Sequence, residues 1–205
     1  MNSGATSERV YDALKRRIMT NAFRPGDRLD PSVLAETLAS SVTPIRDALH
    51  LLTGEGLVET RTSDGFHLPR VDAPALQDLY GWNAEVLGLA LRKPASKPTA
   101  GGASTVSPDN TGDAADRAAT IFTTVAHRSG NIEHRRAIAS VNDRLHAARR
   151  VEHLVLDGVD HELTRLKAAL AAGIVGEMLR EIGRYHRRRH RSAAEIARTL
   201  YRDEA

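Results

Sequence analysis

Along the first third of the chain, apolar residues recur at helical spacing in three short blocks and then shift toward a strand pattern. Val10, Leu14 and Ile18 lie four apart, one buried stripe of a helix over about Ser7 to Thr20. Arg24-Pro25-Gly26 ends it. Asp30 then offers a carboxylate to free first-turn amides and Pro31 stands where no amide is needed, so a second helix opens there, with Val33, Leu34 and Leu38 as its core face. Ala39-Ser40-Ser41 makes a short polar turn. Thr43-Pro44 repeats the cap-plus-proline signal before a third helix whose Ile45, Ala48, Leu49 and Leu52 point inward. Gly54 and Gly56 stop it, and Leu57–Arg61 and Phe66–Leu68 have strand composition around Ser63-Asp64-Gly65, where Asp-Gly supplies the positive backbone angles of a tight hairpin. Helix, helix-turn-helix and hairpin in this order predict a winged helix, whose third helix can lie in a major groove with first-turn side chains on bases or phosphates. Arg46 is the best-placed donor for such a contact.

Leu34-Ala35, Ser41, Thr43-Pro44-Ile45-Arg46-Asp47-Ala48-Leu49 and Glu55-Gly56-Leu57-Val58 resemble the bacterial GntR transcription regulators, in particular the FadR-type branch with an all-helical effector domain. The resemblance covers roughly residues 8–70 and implies DNA contacts at Ser41, Thr43, Arg46 and the wing glycine Gly65. The family's arginine after the turn serine is Val42 here. A valine cannot donate to guanine or phosphate, so either affinity is lower or the position reads by apolar contact with a thymine methyl. The resemblance also implies a repressor that binds a pseudo-palindromic operator as a homodimer and responds to a small-molecule effector, often an organic acid.

Beyond the wing, Asp72-Ala73-Pro74 reads as a linker into a helix from Ala75 to about Lys93, carried by Leu76, Leu79, Tyr80, Val86, Leu87 and Leu91. Leu79 to Ala90 is similar to the opening helix of the FadR-type effector domain, with Asn83 and Leu87 where that family has arginine and glutamate. Residues 93–112 are rich in Pro, Gly, Ser, Thr and Ala and read as a flexible loop. Order resumes near Asp113, where Ala118, Ile121, Phe122 and Val125 share one face, and His127-Arg-Ser-Gly130-Asn131 is a helix stop. Ile138, Val141, Leu145 and Ala148, then Leu163, Leu166, Leu170 and Ile174, then Met178, Ile182 and Tyr185 repeat at three-and-four spacing. Together these predict a mainly α protein: a winged helix-turn-helix DNA-binding domain at 1–71, then an all-α bundle at 72–205 for effector binding and dimerisation.

Composition narrows the function classes. The absence of cysteine excludes disulfides and thiolate metal sites and suits a reducing cytoplasm. No apolar run reaches membrane-spanning length and the start lacks a basic segment followed by an apolar one, so no membrane partner is expected. Aromatic residues make up 4% of the chain, too few for broad base-stacking surfaces. The net charge is +3, yet residues 1–70 balance nine Lys or Arg against nine Asp or Glu, so a DNA face there must come from placement.

The FadR-type domain often holds a divalent metal on an aspartate, a histidine four residues later and two later histidines. Counted back from Asn131, the first pair falls on Ala118 and Phe122, which cannot ligate, leaving His161 and His186 for the last two positions. Two imidazoles do not fill a coordination sphere, so no metal is expected, and His161 and His186 stand as candidate effector-binding residues. His146 and His153, among Arg144, Arg149, Arg150 and Glu152, read as a solvated helix face. Arg184 to Arg191 reads as a solvated helix end, with contact to DNA phosphates or an anionic effector as the alternative, and Ser192-Ala-Ala-Glu195 as a capping box opening a last helix, Ala194 to about Arg202. No nucleophile, phosphate-loop or paired-histidine protease motif appears, so catalysis is not expected. The alternatives are a degenerate, effector-independent DNA-binding regulator and a histidine-dependent metalloenzyme.

Overall fold

The computed structural model describes residues 3–62, 64–92 and 112–202, and these divide into two compact units that meet in sequence at Val71 and Asp72. The first unit contains α1 (Ser3–Met19), β1 (Arg28–Leu29), α2 (Pro31–Thr37), α3 (Val42–Gly54), β2 (Glu59–Arg61) and β3 (Gly65–His67). Its three strands form an antiparallel sheet in the order β1-β3-β2, with Leu29 opposite Phe66 and Thr60 opposite Phe66 on the other side. One core holds Val10, Leu14 and Ile18 of α1, Leu34 of α2, Ile45, Ala48, Leu49 and Leu52 of α3, and Leu29, Leu57, Val58 and Phe66 around the sheet. A buried leucine or isoleucine stabilises by about 1.5–3 kcal/mol, so this stripe-on-stripe packing, not local propensity, holds such short helices. Glu55, just past α3, accepts hydrogen bonds from the Tyr11 hydroxyl and from Lys15 Nζ at 2.9 Å, tying α1 to the end of α3.

Several local expectations need correction. Strand β1 carries no sequence signal of its own: two residues pair with β3 because the chain returns after α1. Val33 is 60% exposed, and Ala35 takes the core position beside Leu34. Asp30 does cap α2, accepting from the amides of Ser32 and Val33. The third helix starts earlier than Thr43-Pro44 suggests: Ser41 is its N-cap, without a side-chain capping bond, and Thr43 and Pro44 lie inside its first turn. In the wing, the Asp64 amide donates to the Arg61 carbonyl at 3.1 Å and Gly65 follows at φ +81°. Only the glycine takes a positive angle there, because a closed four-residue turn followed by one left-handed residue already reverses the chain. Between α2 and α3, Ala39 stands at φ +47°, with its amide donating to Glu36 and that of Ser40 to Ala35. This is the left-handed helix stop usually given to glycine, and the alanine Cβ makes it costly.

The second unit is α4 (Ala73–Arg92), α5 (Ala114–Arg128), α6 (Ile132–Val151), a 3-10 turn (Glu152–Leu154), α7 (Val159–Ala172) and α8 (Val175–Leu200). Helix α4 packs on α5, α6 and α8, and α7 packs on α5 and α8. Asp113 and Asn131 cap α5 and α6 with their side chains, and Asp72 accepts from the amide of Ala75, so the expected linker already belongs to the start of α4. The stripes Ile138, Val141, Leu145, Ala148 and Met178, Ile182, Tyr185 are buried, whereas Ile174 is 53% exposed because it caps α8 from outside. The loop expected at 93–112 lies, apart from Gly112, outside the described residues.

No break occurs at Ser192. Helix α8 runs through the expected capping box, since Ala193, Ile196 and Ala197 extend the buried stripe and leave nothing to stop it. The basic run is therefore helix interior, and Arg189 is fully buried in it. Its guanidinium meets Glu152 (Nε to Oε2 2.9 Å) and Glu162 (Nη1 to Oε2 2.6 Å), while the Tyr80 hydroxyl donates to Glu152 Oε1 at 2.7 Å. These pairs join α4, the 3-10 turn, α7 and α8 through one buried cluster.

Two stability changes follow. Ala39→Gly should raise stability by about 0.5–1 kcal/mol, since relief of the left-handed strain exceeds the added freedom of the unfolded chain; a lower urea midpoint would mean the turn is unstrained. Glu152→Ala should cost about 3–5 kcal/mol, because it strips Arg189 of one carboxylate and Tyr80 of its acceptor. Urea titration of the variant decides it, and a loss below about 1 kcal/mol would show the cluster to be dispensable.

Candidate functional site

The first unit presents α3 with one face in the core and the other open. Ile45, Ala48, Leu49 and Leu52 are at most 1% exposed, while Ser41, Thr43, Arg46, Asp47 and His50 are exposed. Ser41, Thr43 and Arg46 make no hydrogen bond or ion pair with the described residues, so the Arg46 guanidinium keeps all its donors. Ser41 leaves the first-turn amides of α3 uncapped, which directs the positive end of the helix dipole outward. Gly65 is exposed at the wing tip, with open space where a Cβ would stand. The turn beside it is pinned by His67, whose Nε2 lies 3.1 Å from Asp64 Oδ2.

Val42 is half-buried and packs against the core of the unit, so it lends itself poorly to the thymine contact considered for it. His50 was missed by sequence reading. It follows Arg46 by one helical turn, on the same exposed face, with its ring edge-on to Phe66 at 4.9 Å. The i to i+4 spacing was the available signal.

In the second unit the two candidate histidines have different surroundings. His161 is exposed and accepts from Arg165 Nη1 at 2.7 Å. His186 is buried: its Nδ1 donates to the Ile182 carbonyl at 2.8 Å, and Nε2 lies 2.7 Å from the Asn83 side-chain amide. A neutral ring that donates through Nδ1 accepts through Nε2, so the amide nitrogen of Asn83 faces it. Burial pushes the His186 pKa down to about 3 against the bond to Ile182, with Arg149 and Arg189 adding to the depression. Both nitrogens are thus used, and neither is free for a metal or an effector. Ala118 and Phe122 are core residues.

The solvated face expected around His146 is not solvated: His146, Arg149 and Glu152 are all buried, and His153 alone of that group points fully outward along with Leu154. Among the described residues, one trio of potential metal ligands comes together, Asp113, Asp116 and His146, without His161 or His186. Asp113 already caps α5 and lies 3.6 Å from Arg150 Nε, so that carboxylate is engaged.

Residues 6–68 match the family model of the bacterial regulatory proteins, gntR family. The HTH-type transcriptional regulator YdhC of Bacillus subtilis is 33% identical over 70 residues, 34% of this chain and 31% of that protein. The Nta operon transcriptional regulator of Aminobacter aminovorans is 39% identical over 77 residues, 38% of this chain and 37% of that protein. These matches span about a third of the relatives' lengths. A GntR transcriptional regulator of Rhodococcus sp. RHA1 has the same fold, with a TM-score of 0.67 at 21% identity over 92% of this chain and 97% of that one. McbR/YncC of Escherichia coli gives 0.62 at 18% over 96% and 98%. The N-terminal unit is therefore a winged helix-turn-helix of the gntR family, followed by a helical domain. The sequence relatives are named as transcriptional regulators, in keeping with the expectation that the chain is not an enzyme. No described helix is long and apolar enough to cross a membrane.

The buried His186 sets a pH dependence. Its folded pKa lies far below the usual value near 6.5, so between the two the unfolded chain binds a proton that the folded one refuses. The stabilisation is complete above about pH 6.5 and is lost as the pH falls toward 3, by about 2 kcal/mol between pH 6.5 and 5. His146, lowered chiefly by burial, acts in the same direction. His186→Gln should flatten the slope of urea stability against pH over this range; an unchanged slope would assign it to other groups.

Proposed function

We propose that this protein is a cytoplasmic DNA-binding transcription regulator, a repressor of FadR type that binds a pseudo-palindromic operator as a homodimer. The observation that carries the reading is the open face of α3, where Ser41, Thr43 and Arg46 stand exposed and without protein partners on a helix anchored by its opposite face. Arg46 suits bidentate contact with guanine or phosphate, the uncapped helix start suits a phosphate, and Gly65 lets the wing approach the backbone closely. One short winged helix makes few contacts, and two-fold symmetry doubles them on a palindrome.

The helical unit then serves dimerisation and binds a small organic acid, which changes operator affinity through the relative stability of two arrangements. With Ala118 and Phe122 packed in the core and both His186 nitrogens engaged, effector recognition in this reading proceeds without the divalent metal of the resemblance.

Fluorescence anisotropy with duplex from upstream of the protein's own coding region, beside a scrambled duplex and at two salt concentrations, tests DNA recognition. Arg46→Ala should weaken specific binding by about 1–3 kcal/mol and relax preference at one base pair. Equal, weak binding to both duplexes by the unaltered protein would remove specific readout from the winged helix.

A further inference from the structure

The interior of the helical unit contains a second buried guanidinium, and its surroundings are unlike those of Arg189. Arg149 is 1% exposed and no described carboxylate pairs with it. It donates once, from Nη1 to Asn142 Oδ1 at 2.8 Å, and its carbon lies 5.2 Å from the centre of the Phe122 ring. Nε and Nη2 are buried without a hydrogen-bond partner. The Asn142 amide nitrogen is spent on the Ala119 carbonyl and Thr123 Oγ1, so that side chain offers no charge to balance the arginine. A buried cation with unmet donors is among the costliest features a core can hold.

A second unmet donor lies in the same neighbourhood. Tyr185 is fully buried, its hydroxyl has no partner, and its ring meets Phe122 edge-on at 5.2 Å. Burial raises its pKa, so the hydroxyl keeps its proton to donate. Arg149 and Tyr185, from α6 and α8, thus flank one phenyl ring with three unused donors between them.

An apolar cavity of about 120 Å³ lies nearby in sequence terms on the same helices, lined by Val125, Leu170, Val175 and Met178 among others. Val125 follows Phe122 by about one turn of α5, and Met178 precedes Tyr185 by about two turns on the buried face of α8. Its volume equals roughly four water-sized groups, the room a short alkyl chain needs.

We infer that Arg149 and Tyr185 form the recognition site for the carboxylate of a short-chain aliphatic monocarboxylic acid, whose alkyl tail occupies the Val125–Met178 cavity. The carboxylate accepts from Arg149 and from the Tyr185 hydroxyl and neutralises the buried charge, while Asn142 holds the guanidinium in place. This rests on the reading of the helical unit as an effector domain and adds to it the residues and the ligand class.

The test uses the full chain and a series from acetate to hexanoate, with the matching primary alcohols as neutral controls, followed by calorimetry and thermal midpoint. Carboxylates should raise the midpoint and alcohols should not, and affinity should rise about fourfold per methylene until the cavity is full. Arg149→Met, which keeps length and removes the charge, should abolish the response while folding at least as stably as the parent. Tyr185→Phe should weaken binding about tenfold and keeps the proposal testable should the arginine variant fail to fold. No carboxylate response, a response that survives either variant undiminished, or acetate bound as tightly as hexanoate would overturn the assignment. Operator binding measured without carboxylate is unaffected by any of these outcomes, so failure of this site and failure of the regulator reading are distinguishable.

Discussion

The helical unit depends on the placement of Arg189. Its guanidinium is buried over the Tyr185 ring at 3.3 Å and faced by Glu152 and Glu162, with Tyr80 completing the shell. Burying three charges is expensive, and only close, multiply bonded geometry offsets it, so the cluster adds little net stability while penalising every arrangement that separates its members. That penalty fixes the register of α4, the 3-10 turn, α7 and α8 together. It also explains why α8 continues as one helix through a stretch of charge: Arg184, Arg187 and Arg191 lie outside and Arg189 inside, which requires regular helical phase across the run.

Arg149 shows the opposite use of the same side chain. Arg189 meets two carboxylates, whereas Arg149 has one amide oxygen and a phenyl face. The first satisfies its surroundings and serves architecture. The second leaves donors unused in the interior, where an anion would be held far more strongly than at the surface. Charge thus enters this core in two ways, once as a closed network and once as an open one.

The winged helix divides its labour differently. The apolar side chains of α3 lock the helix to α1 and the sheet, so that its exposed side chains can meet a ligand without being needed for folding. Core and surface are interleaved at helical period, and a residue serves one or the other. Val42 falls on the packed side, at a position where the family resemblance places an arginine, so recognition on this helix passes to Thr43, Arg46 and the face that continues to His50.

The sequence by itself determined the features that arise within a few residues: the buried stripes of α1, α3, α5 and α6, the Asp30 cap, the Gly65 turn and the exposed first turn of α3. Apolar period and capping chemistry are local, and so they are legible in a linear string. Tertiary structure alone decided which charges are buried. Arg149, Glu152 and Arg189 look like solvated residues in their own neighbourhoods, and Glu152 and Arg189 enter the core only because they meet each other across 37 positions. It also decided that Val33 stays outside, that β1 forms, and that no helix starts at Ser192. A side chain's burial depends on what packs against it, and for these residues the decisive partner comes from a distant part of the chain.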